Sequence, residues 1–371
     1  RRPGSSWGRR ASSSATPWGA RFLPEAGTTQ ATLRMSAIRV RYVVKKGLLG
    51  SRRSLNAVNG VSFEIARGEV LGLVGESGSG KSTAGRVAVG SERPSSGLVE
   101  IDGEPIPRIG SREWRAQRRL VQVVHQDPES ALNPQRPVGE QVGEPLVIHG
   151  IGDAAERRER VRRMLDAVGM SNFAGHYPHQ LSGGQMQRIV IARALVLEPK
   201  LLICDEPVSA LDVSVQAQVI NLLLDIKQQL DLTILFISHD LGIVRHVSDR
   251  IAVMYLGRIV EIGPAEEVFA SPRHPYTRAL LSAIPASTPW DKRPRIKLQG
   301  EPPTPLDPPS GCTFHPRCAY AAPLCSQSPP ALEHDGERGT ACHFWRDLVP
   351  TWGNGPGPDR PTATHAGHPS A

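Results

Sequence analysis

The residues best suited to chemistry run Gly75-Glu76-Ser77-Gly78-Ser79-Gly80-Lys81-Ser82-Thr83. Glycines at these spacings let successive backbone N–H groups turn inward on an anion, and a lysine followed by a hydroxyl adds charge and a hard oxygen ligand. The pattern is a phosphate cradle, G-x-x-x-x-G-K-[ST], and its context fits: the apolar stretch Val70-Leu-Gly-Leu-Val74 before it reads as a strand, and a helix-like segment follows. The helix start adds positive potential. Lys81 would reach the β- and γ-phosphates of a nucleotide, and the Ser82 hydroxyl would reach Mg²⁺. A second candidate, Leu201-Leu-Ile-Cys-Asp205-Glu206, is an apolar strand ending in two carboxylates. Alone, these are as well explained as surface acids. Beside a phosphate loop, Asp205 suits Mg²⁺ binding and Glu206 suits a general base that polarises the attacking water.

A third stretch is Leu181-Ser182-Gly183-Gly184-Gln185. Ser182 reads as a helix N-cap, and two glycines at a helix start make another anion site. This pentapeptide, lying between a phosphate loop and an Asp-Glu strand, resembles the signature of ABC-type ATPases. The resemblance implies two ATPase subunits packed head to tail, each ATP held between the phosphate loop of one and Ser182–Gln185 of the other. It also implies roles for three further positions. Gln126, in Val123-Val-His-Gln126-Asp-Pro128, would touch Mg²⁺ and report to a transmembrane partner. Asp212, in Ser209-Ala-Leu-Asp212, would cross the dimer interface. His239 would contact the γ-phosphate. Members of this family stack an aromatic ring on adenine, and Tyr42 is the nearest aromatic on the N-terminal side. Met186 departs from the arginine common after the signature, while Gln187-Arg188 is retained.

Elements to position these residues follow from hydrophobic periodicity. Strands are expected at 37–44, 59–65 and 69–75. Helices fit 153–169, where Val161, Met164, Leu165 and Val168 share a face, 184–197, and 213–230, where Val215, Val219, Leu222, Leu223 and Ile226 do. Apolar strands at 200–205 and 232–238 bracket the last helix, as in a buried parallel sheet. A hairpin is expected at 250–262, turning at Leu256-Gly257-Arg258. The fold class is α/β: a phosphate-loop nucleotide-binding domain with a parallel-sheet core, an antiparallel β subdomain, a helical signature subdomain and a small Cys-rich C-terminal extension. The expected limits are a disordered extension at 1–34, an ATPase domain at 35–283 with its helical part at 127–198, the extension at 284–348 and a Pro/Gly tail at 349–371. The start of order near Met35 favours an upstream extension over an Arg-rich targeting peptide for 1–34.

Composition excludes several other classes. The chain has 371 residues and a net charge of +8, of which residues 1–34, with six Arg and one Glu, supply +5. A weakly basic body is a poor nucleic-acid binder. No apolar run approaches the about 20 residues that span a bilayer. A chromosome-structural ATPase needs a long coiled coil between phosphate loop and signature, and the sequence has no sustained heptads there. A ribosome-associated factor would carry two cassettes, and one is present.

Three stretches narrow the resemblance: Pro128-Glu-Ser-Ala-Leu-Asn-Pro134, Pro272-Arg-His-Pro-Tyr-Thr-Arg-Ala-Leu-Leu281 and Pro308-Pro-Ser-Gly-Cys-Thr-Phe-His-Pro-Arg-Cys318. They are similar to the ATP-binding subunits of bacterial dipeptide/oligopeptide importers, and the insert Lys45–Gly50 with Glu206–Asp212 is closer to the second, "F"-type ATPase of the pair. That resemblance implies a heterodimer with a related ATPase (or self-association), two membrane permeases, an extracytoplasmic peptide-binding protein, and a place on the cytoplasmic face of the membrane. An importer of nickel or other small solutes is the alternative. Leu132, Pro134, Val138, Val142 and Leu146, after Gln126, are expected to offer a permease a groove, to pack the helical subdomain, or to share the two roles. Finally, Cys312, Cys318, Cys325 and Cys342 cluster in a Pro-rich stretch short of core residues, which asks for a staple. Their spacing lacks the paired C-x₂-C of zinc ribbons. Zinc, free thiols and a [4Fe–4S] cluster stay open on the residues, and the resemblance favours the cluster. His315 and His343 stand nearby, and Cys204 reads as a core residue.

Overall fold

The computed structural model describes residues 31–45, 52–284 and 295–348. Of the stretches read above, 1–30, most of the Lys45–Gly50 insert, 285–294 of the expected extension and the 349–371 tail lie outside the described residues.

β1 (Ala31–Lys45) pairs antiparallel with β2 (Arg52–Ala66). Leu33, Met35, Ile38 and Val40 are buried while Arg34, Arg39 and Arg41 are exposed. The alternation slips at a bulge where Ala37 takes φ 49°. The bulge resets the period-2 phase, so a reading by alternation starts after it. The strand in fact begins at Ala31. Residues 31–34, expected within the disordered extension 1–34, belong to the sheet: Leu33 is 0% exposed, and the Thr233 hydroxyl donates to Thr32 at 3.1 Å.

β3 (Val70–Val74) leads through the phosphate loop into α1 (Lys81–Ala88). β4 (Ser96–Ile101), β5 (Glu104–Pro105), α2 (Arg112–Gln117) and β6 (Val121–Val124) follow. Four helices then make the helical subdomain: α3 (Pro128–Ala131), α4 (Val138–Ile148), α5 (Ala154–Ala167) and α6 (Gly183–Leu195). Asp153 caps α5 in a reciprocal box with Glu156, two orphan N–H groups being satisfied at once. The chain returns through β7 (Leu201–Asp205), α7 (Val213–Leu230), β8 (Thr233–Ile237), α8 (Leu241–Val247) and the hairpin β9 (Arg250–Tyr255) and β10 (Arg258–Pro264). The hairpin turns at Leu256 and Gly257, both at positive φ, the geometry that matches strand twist. α9 (Ala265–Ala270), α10 (Pro275–Ser282), α11 (Pro323–Gln327), β11 (Glu333–Asp335) and β12 (Arg338–Thr340) complete the described chain.

Two sheets result. The smaller is antiparallel, β2-β1-β4-β5. The larger runs β11-β12-β10-β9-β3-β8-β7-β6, with β9, β3, β8, β7 and β6 parallel. Leu71 and Leu73 join the cluster shared with the small sheet, and Val70 and Val74 join the cluster on the other face. Both faces of the parallel core are thus covered, which explains its unbroken apolar strands. The C-terminal extension is not a separate appendage. β12 pairs with β10, and the buried Glu261 carboxylate accepts from Arg338 Nη2 and from the Arg273 and His274 backbone N–H groups, each at 2.9 Å.

Candidate active site

β3 delivers the phosphate loop to the C-terminal edge of the parallel sheet, the edge where ligands bind in open α/β folds. Gly80 takes φ 103° just before α1, and a side chain there would strike the Ala57 carbonyl, so the loop requires glycine at this point. Lys81 folds back into the loop, donating from Nζ to the Gly75 carbonyl at 2.8 Å and the Glu76 carbonyl at 3.0 Å. Burial lowers its pKa, opposed by the charges of Glu206, Asp205 and Glu76. The Ser79 hydroxyl, 4% exposed, has no hydrogen-bond partner among the described residues, an orphan inside the cradle.

Asp205 ends β7 beside the loop and accepts from the Ser82 hydroxyl at 3.0 Å. Burial raises the pKa of Asp205, and the Ser82 bond works against that rise. Glu206 follows at φ 52°, its N–H donating to the Ile237 carbonyl at 2.9 Å. Its Oε1 lies 3.1 Å from Nδ1 of His239, which leaves the end of β8. Gln126 is exposed two residues beyond β6, whose Val124 is in register with Cys204 of β7, so Gln126 and Glu206 share one sheet edge. His125 there feels the Asp205 charge, although burial dominates and lowers its pKa. These residues, distant in sequence, converge around one loop.

Tyr42 flanks the same loop by way of α1. Its hydroxyl pairs with Glu92 and lies 3.5 Å from Arg86 Nη2, which is 3.0 Å from the Thr83 hydroxyl. The signature segment stands apart on the helical subdomain. Ser182 and Gln185 bond to each other in a capping box, with Ser182 N–H donating to Gln185 Oε1 at 2.9 Å. A side chain at Gly184 would strike Val215 of α7, so this glycine serves close helix packing. Asp212 stands at the N-cap position of that same α7, which places signature and Asp212 on adjoining surfaces.

Of the two roles expected for the residues after Gln126, packing holds for four of the five, and Pro134 is exposed. Val138, Val142 and Leu146 are 0% exposed and Leu132 is 4% exposed, so all four pack the helical core. The neighbouring stripe of α4, Gly139, Gly143 and Val147, lines a cavity of about 810 Å³ together with Ile148 and Val161 of α5. The two stripes are one residue, about 100° of helix, apart, and periodicity marks the apolar face without telling which of two apolar stripes turns outward. Val147 and Ile148 are 59% and 72% exposed.

None of the four clustered cysteines is in a disulfide, and all line one small cavity of about 20 Å³ with His274 and Phe314. Burial raises the pKa of Cys312, of Cys318 to about 12 and of Cys342 to about 11. No group of three His, Cys, Asp or Glu side chains among the described residues is arranged to hold a metal ion.

Periodicity and motif reading missed three residues at the phosphate loop. The Glu76 N–H donates to the Tyr276 hydroxyl at 2.9 Å, and the Glu76 carboxylate receives Arg317, which also reaches Tyr255 at 3.4 Å. Tyr255, Tyr276 and Phe314 form an aromatic cluster beneath, centroids 4.6–5.4 Å apart. Tyr276 and Arg317 carry only the signal of aromatic and basic residues inside Pro-rich stretches, and Tyr255 reads as a strand residue of the expected hairpin.

A phosphate loop at the edge of a parallel sheet, joined by a carboxylate pair and a histidine and accompanied by a helical subdomain with a capped Gly-Gly start, defines an ABC-type ATPase. The chain belongs to the ABC transporter family, which it matches over residues 58–209, and it carries the family's oligopeptide/dipeptide transporter C-terminal region over residues 260–325. It is 49% identical over 303 residues to the di/tripeptide transport ATP-binding protein DppF of Pseudomonas aeruginosa, covering 81% of this chain and 94% of that one. The dipeptide transport ATP-binding protein DppF of Escherichia coli is 46% identical over 86% of this chain and 96% of its own. Among solved structures, cbiO1 of Clostridium perfringens, part of the ABC transporter complex cbiONQ, superposes with a TM-score of 0.57 at 33% identity, covering 65% of this chain and 91% of that one. The ATP-binding cassette MJ0796, solved as a dimer in a post-hydrolysis state bound to ADP and Pi, superposes with a TM-score of 0.56 at 30% identity, covering 63% of this chain and 98% of its own. The chain is an ATPase of this family, using ATP and Mg²⁺.

Proposed function

We propose that the chain powers import of di- and oligopeptides through a membrane transporter, as one of two ATPases in a heterodimer. The observation that carries this reading is the oligopeptide/dipeptide-type C-terminal region joined by strand pairing to an ATPase core. Two permeases and an extracytoplasmic peptide-binding protein complete the assembly, and the chain sits on the cytoplasmic face of the membrane. The α4–α5 groove, apolar at Val147 and Ile148 and rimmed by Arg136, Glu140 and Glu144, receives a permease helix.

In this reading residues 75–83 cradle the phosphates of ATP and the Tyr42 ring stacks on adenine. Ser182–Gln185 of the opposing subunit closes the site, with Asp212 at the interface. Ser82, Gln126 and Asp205 hold Mg²⁺. Their hard oxygen donors fit that ion, as does the 3.0 Å approach of Ser82 to Asp205. Bound there, the ion neutralises phosphate charge. Glu206 takes a proton from the water that attacks the γ-phosphorus. His239, held by Glu206 through Nδ1, presents its other ring nitrogen to the γ-phosphate. Bond cleavage leaves ADP and phosphate, and their release lets the dimer reopen.

For the cysteine cluster, convergence of four thiols on one cavity fits a shared prosthetic group. Zinc, whose thiolates must all come within about 2.3 Å of one point, is the alternative. A [4Fe–4S] cluster spreads its thiolates over four irons. Bound, it would supply a rigid staple in a segment poor in core residues.

The test is the anaerobically purified complex with its permeases. Peptide-loaded binding protein is expected to raise ATP hydrolysis, and iron and sulfide are expected in near-equal amounts, lost in Cys318→Ser. Stimulation by nickel or another small solute in place of peptides would overturn the substrate assignment, and zinc without sulfide would overturn the cluster.

A further inference from the structure

The C-terminal extension reaches the phosphate loop itself. Arg317, one residue before Cys318, donates from Nη1 to Glu76 Oε2 at 2.9 Å and to Oε1 at 3.2 Å. The arginine side chain is 8% exposed and the glutamate 28%. Glu76 is the second residue of the cradle, and its carbonyl already holds Lys81 Nζ at 3.0 Å. An acidic side chain at this place is an electrostatic liability. It sets a negative charge beside the site of a polyphosphate, in surroundings where partial burial strengthens the repulsion. Arg317 cancels that charge. It is carried by a tight turn, with Arg317 N–H donating to the Phe314 carbonyl and Cys318 N–H to the His315 carbonyl at 3.0 and 3.2 Å. Phe314 in turn is 1% exposed in the aromatic cluster with Tyr255 and Tyr276. The Pro-rich stretch 302–305 closes over the other side of the loop, leaving a cavity of about 180 Å³ against Glu76 and Ser79.

We infer that Arg317 is a positioning residue through which the C-terminal extension sets nucleotide affinity, by neutralising Glu76 of the phosphate loop. The inference rests on residues 75–83 being the phosphate cradle and is independent of what the transporter carries. Nothing in it needs Arg317 to touch ATP. Its effect passes through Glu76, and removing Glu76's charge removes the need for it.

A fluorescent ATP analogue titrated into the purified full-length chain, without turnover, tests this. Arg317→Ala is expected to weaken binding about tenfold, a loss that shrinks as salt screens the uncovered charge. Glu76→Gln alone is expected to bind as tightly as wild type or tighter. Arg317→Ala combined with Glu76→Gln is expected to recover to within about threefold of wild type, because charge balance on the loop is restored. If the alanine variant does not fold, Arg317→Gln with and without Glu76→Gln gives the same comparison. Folded single variants binding like wild type, or a double variant as weak as Arg317→Ala, would overturn the inference. The latter would mean that Arg317 acts by packing alone. Lys81→Ala separates the two levels: if it binds normally the cradle assignment fails, and if it alone loses binding the cradle stands and the role of Arg317 falls.

Discussion

Glu206 sits at φ 52°, a left-handed backbone position that costs a non-glycine residue about 1–3 kcal/mol. What holds it there is its N–H bond to Ile237 and its carboxylate contact with His239. From there its Oε1 lies 3.1 Å from His239 Nδ1, at the sheet edge that carries Asp205 and the phosphate loop. Glu206→Gln keeps the shape and removes the carboxylate proposed above as the base. Nucleotide binding should stay within about twofold while turnover falls by about 10²–10⁴. Single-turnover hydrolysis in the assembled transporter checks this, and near-normal turnover would remove Glu206 from the role of base. Of the residues around the phosphate loop, the motif-bearing ones were legible in the chain because their spacing is set by backbone geometry. Tyr276 and Arg317 were not, because nothing local dictates that residues about 200 and 240 positions downstream return to Glu76.

Among the elements, the pairing of β12 with β10 decides how the extension behaves. Glu261 is 0% exposed, and Arg338 beside it is 7% exposed, with further bonds to Glu261 from the loop before α10. A buried carboxylate stripped of its cation is expensive. Arg338→Ala is expected to destabilise the protein by about 3–5 kcal/mol. Urea unfolding followed by fluorescence should show this as a lower midpoint in one transition shared by core and extension. A normal midpoint, or an early transition of the extension alone, would contradict the fused-sheet arrangement. The extension's short strands were invisible to periodicity, since three residues carry too little alternation. The early start of β1 was hidden by the bulge at Ala37, which shifts the pattern by one residue.

For the whole molecule, the exposed pair Val147 and Ile148 belongs to the α4–α5 groove proposed above to receive a permease helix. Large apolar side chains left exposed beside a groove of about 810 Å³ indicate a docking surface more than a solvated one. Ile148→Glu should leave nucleotide binding by the isolated chain unchanged. Co-purification with the permeases, or peptide-stimulated hydrolysis, should fall by roughly tenfold or more, as for loss of a central anchor. Retention of both would place the docking surface elsewhere.

The residue order alone determined the phosphate loop, the carboxylate strand, the signature and the alternation of strand and helix. These are local, written in spacings that backbone geometry and burial of one face enforce. Tertiary structure decided which apolar stripe of α4 faces out, where β1 begins, and that the Cys-bearing extension joins the central sheet. It also decided that Tyr276 and Arg317 hold Glu76. Each depends on contacts between segments far apart in the chain, whose pairing is chosen by packing of the complete core and leaves no periodic trace in any one segment.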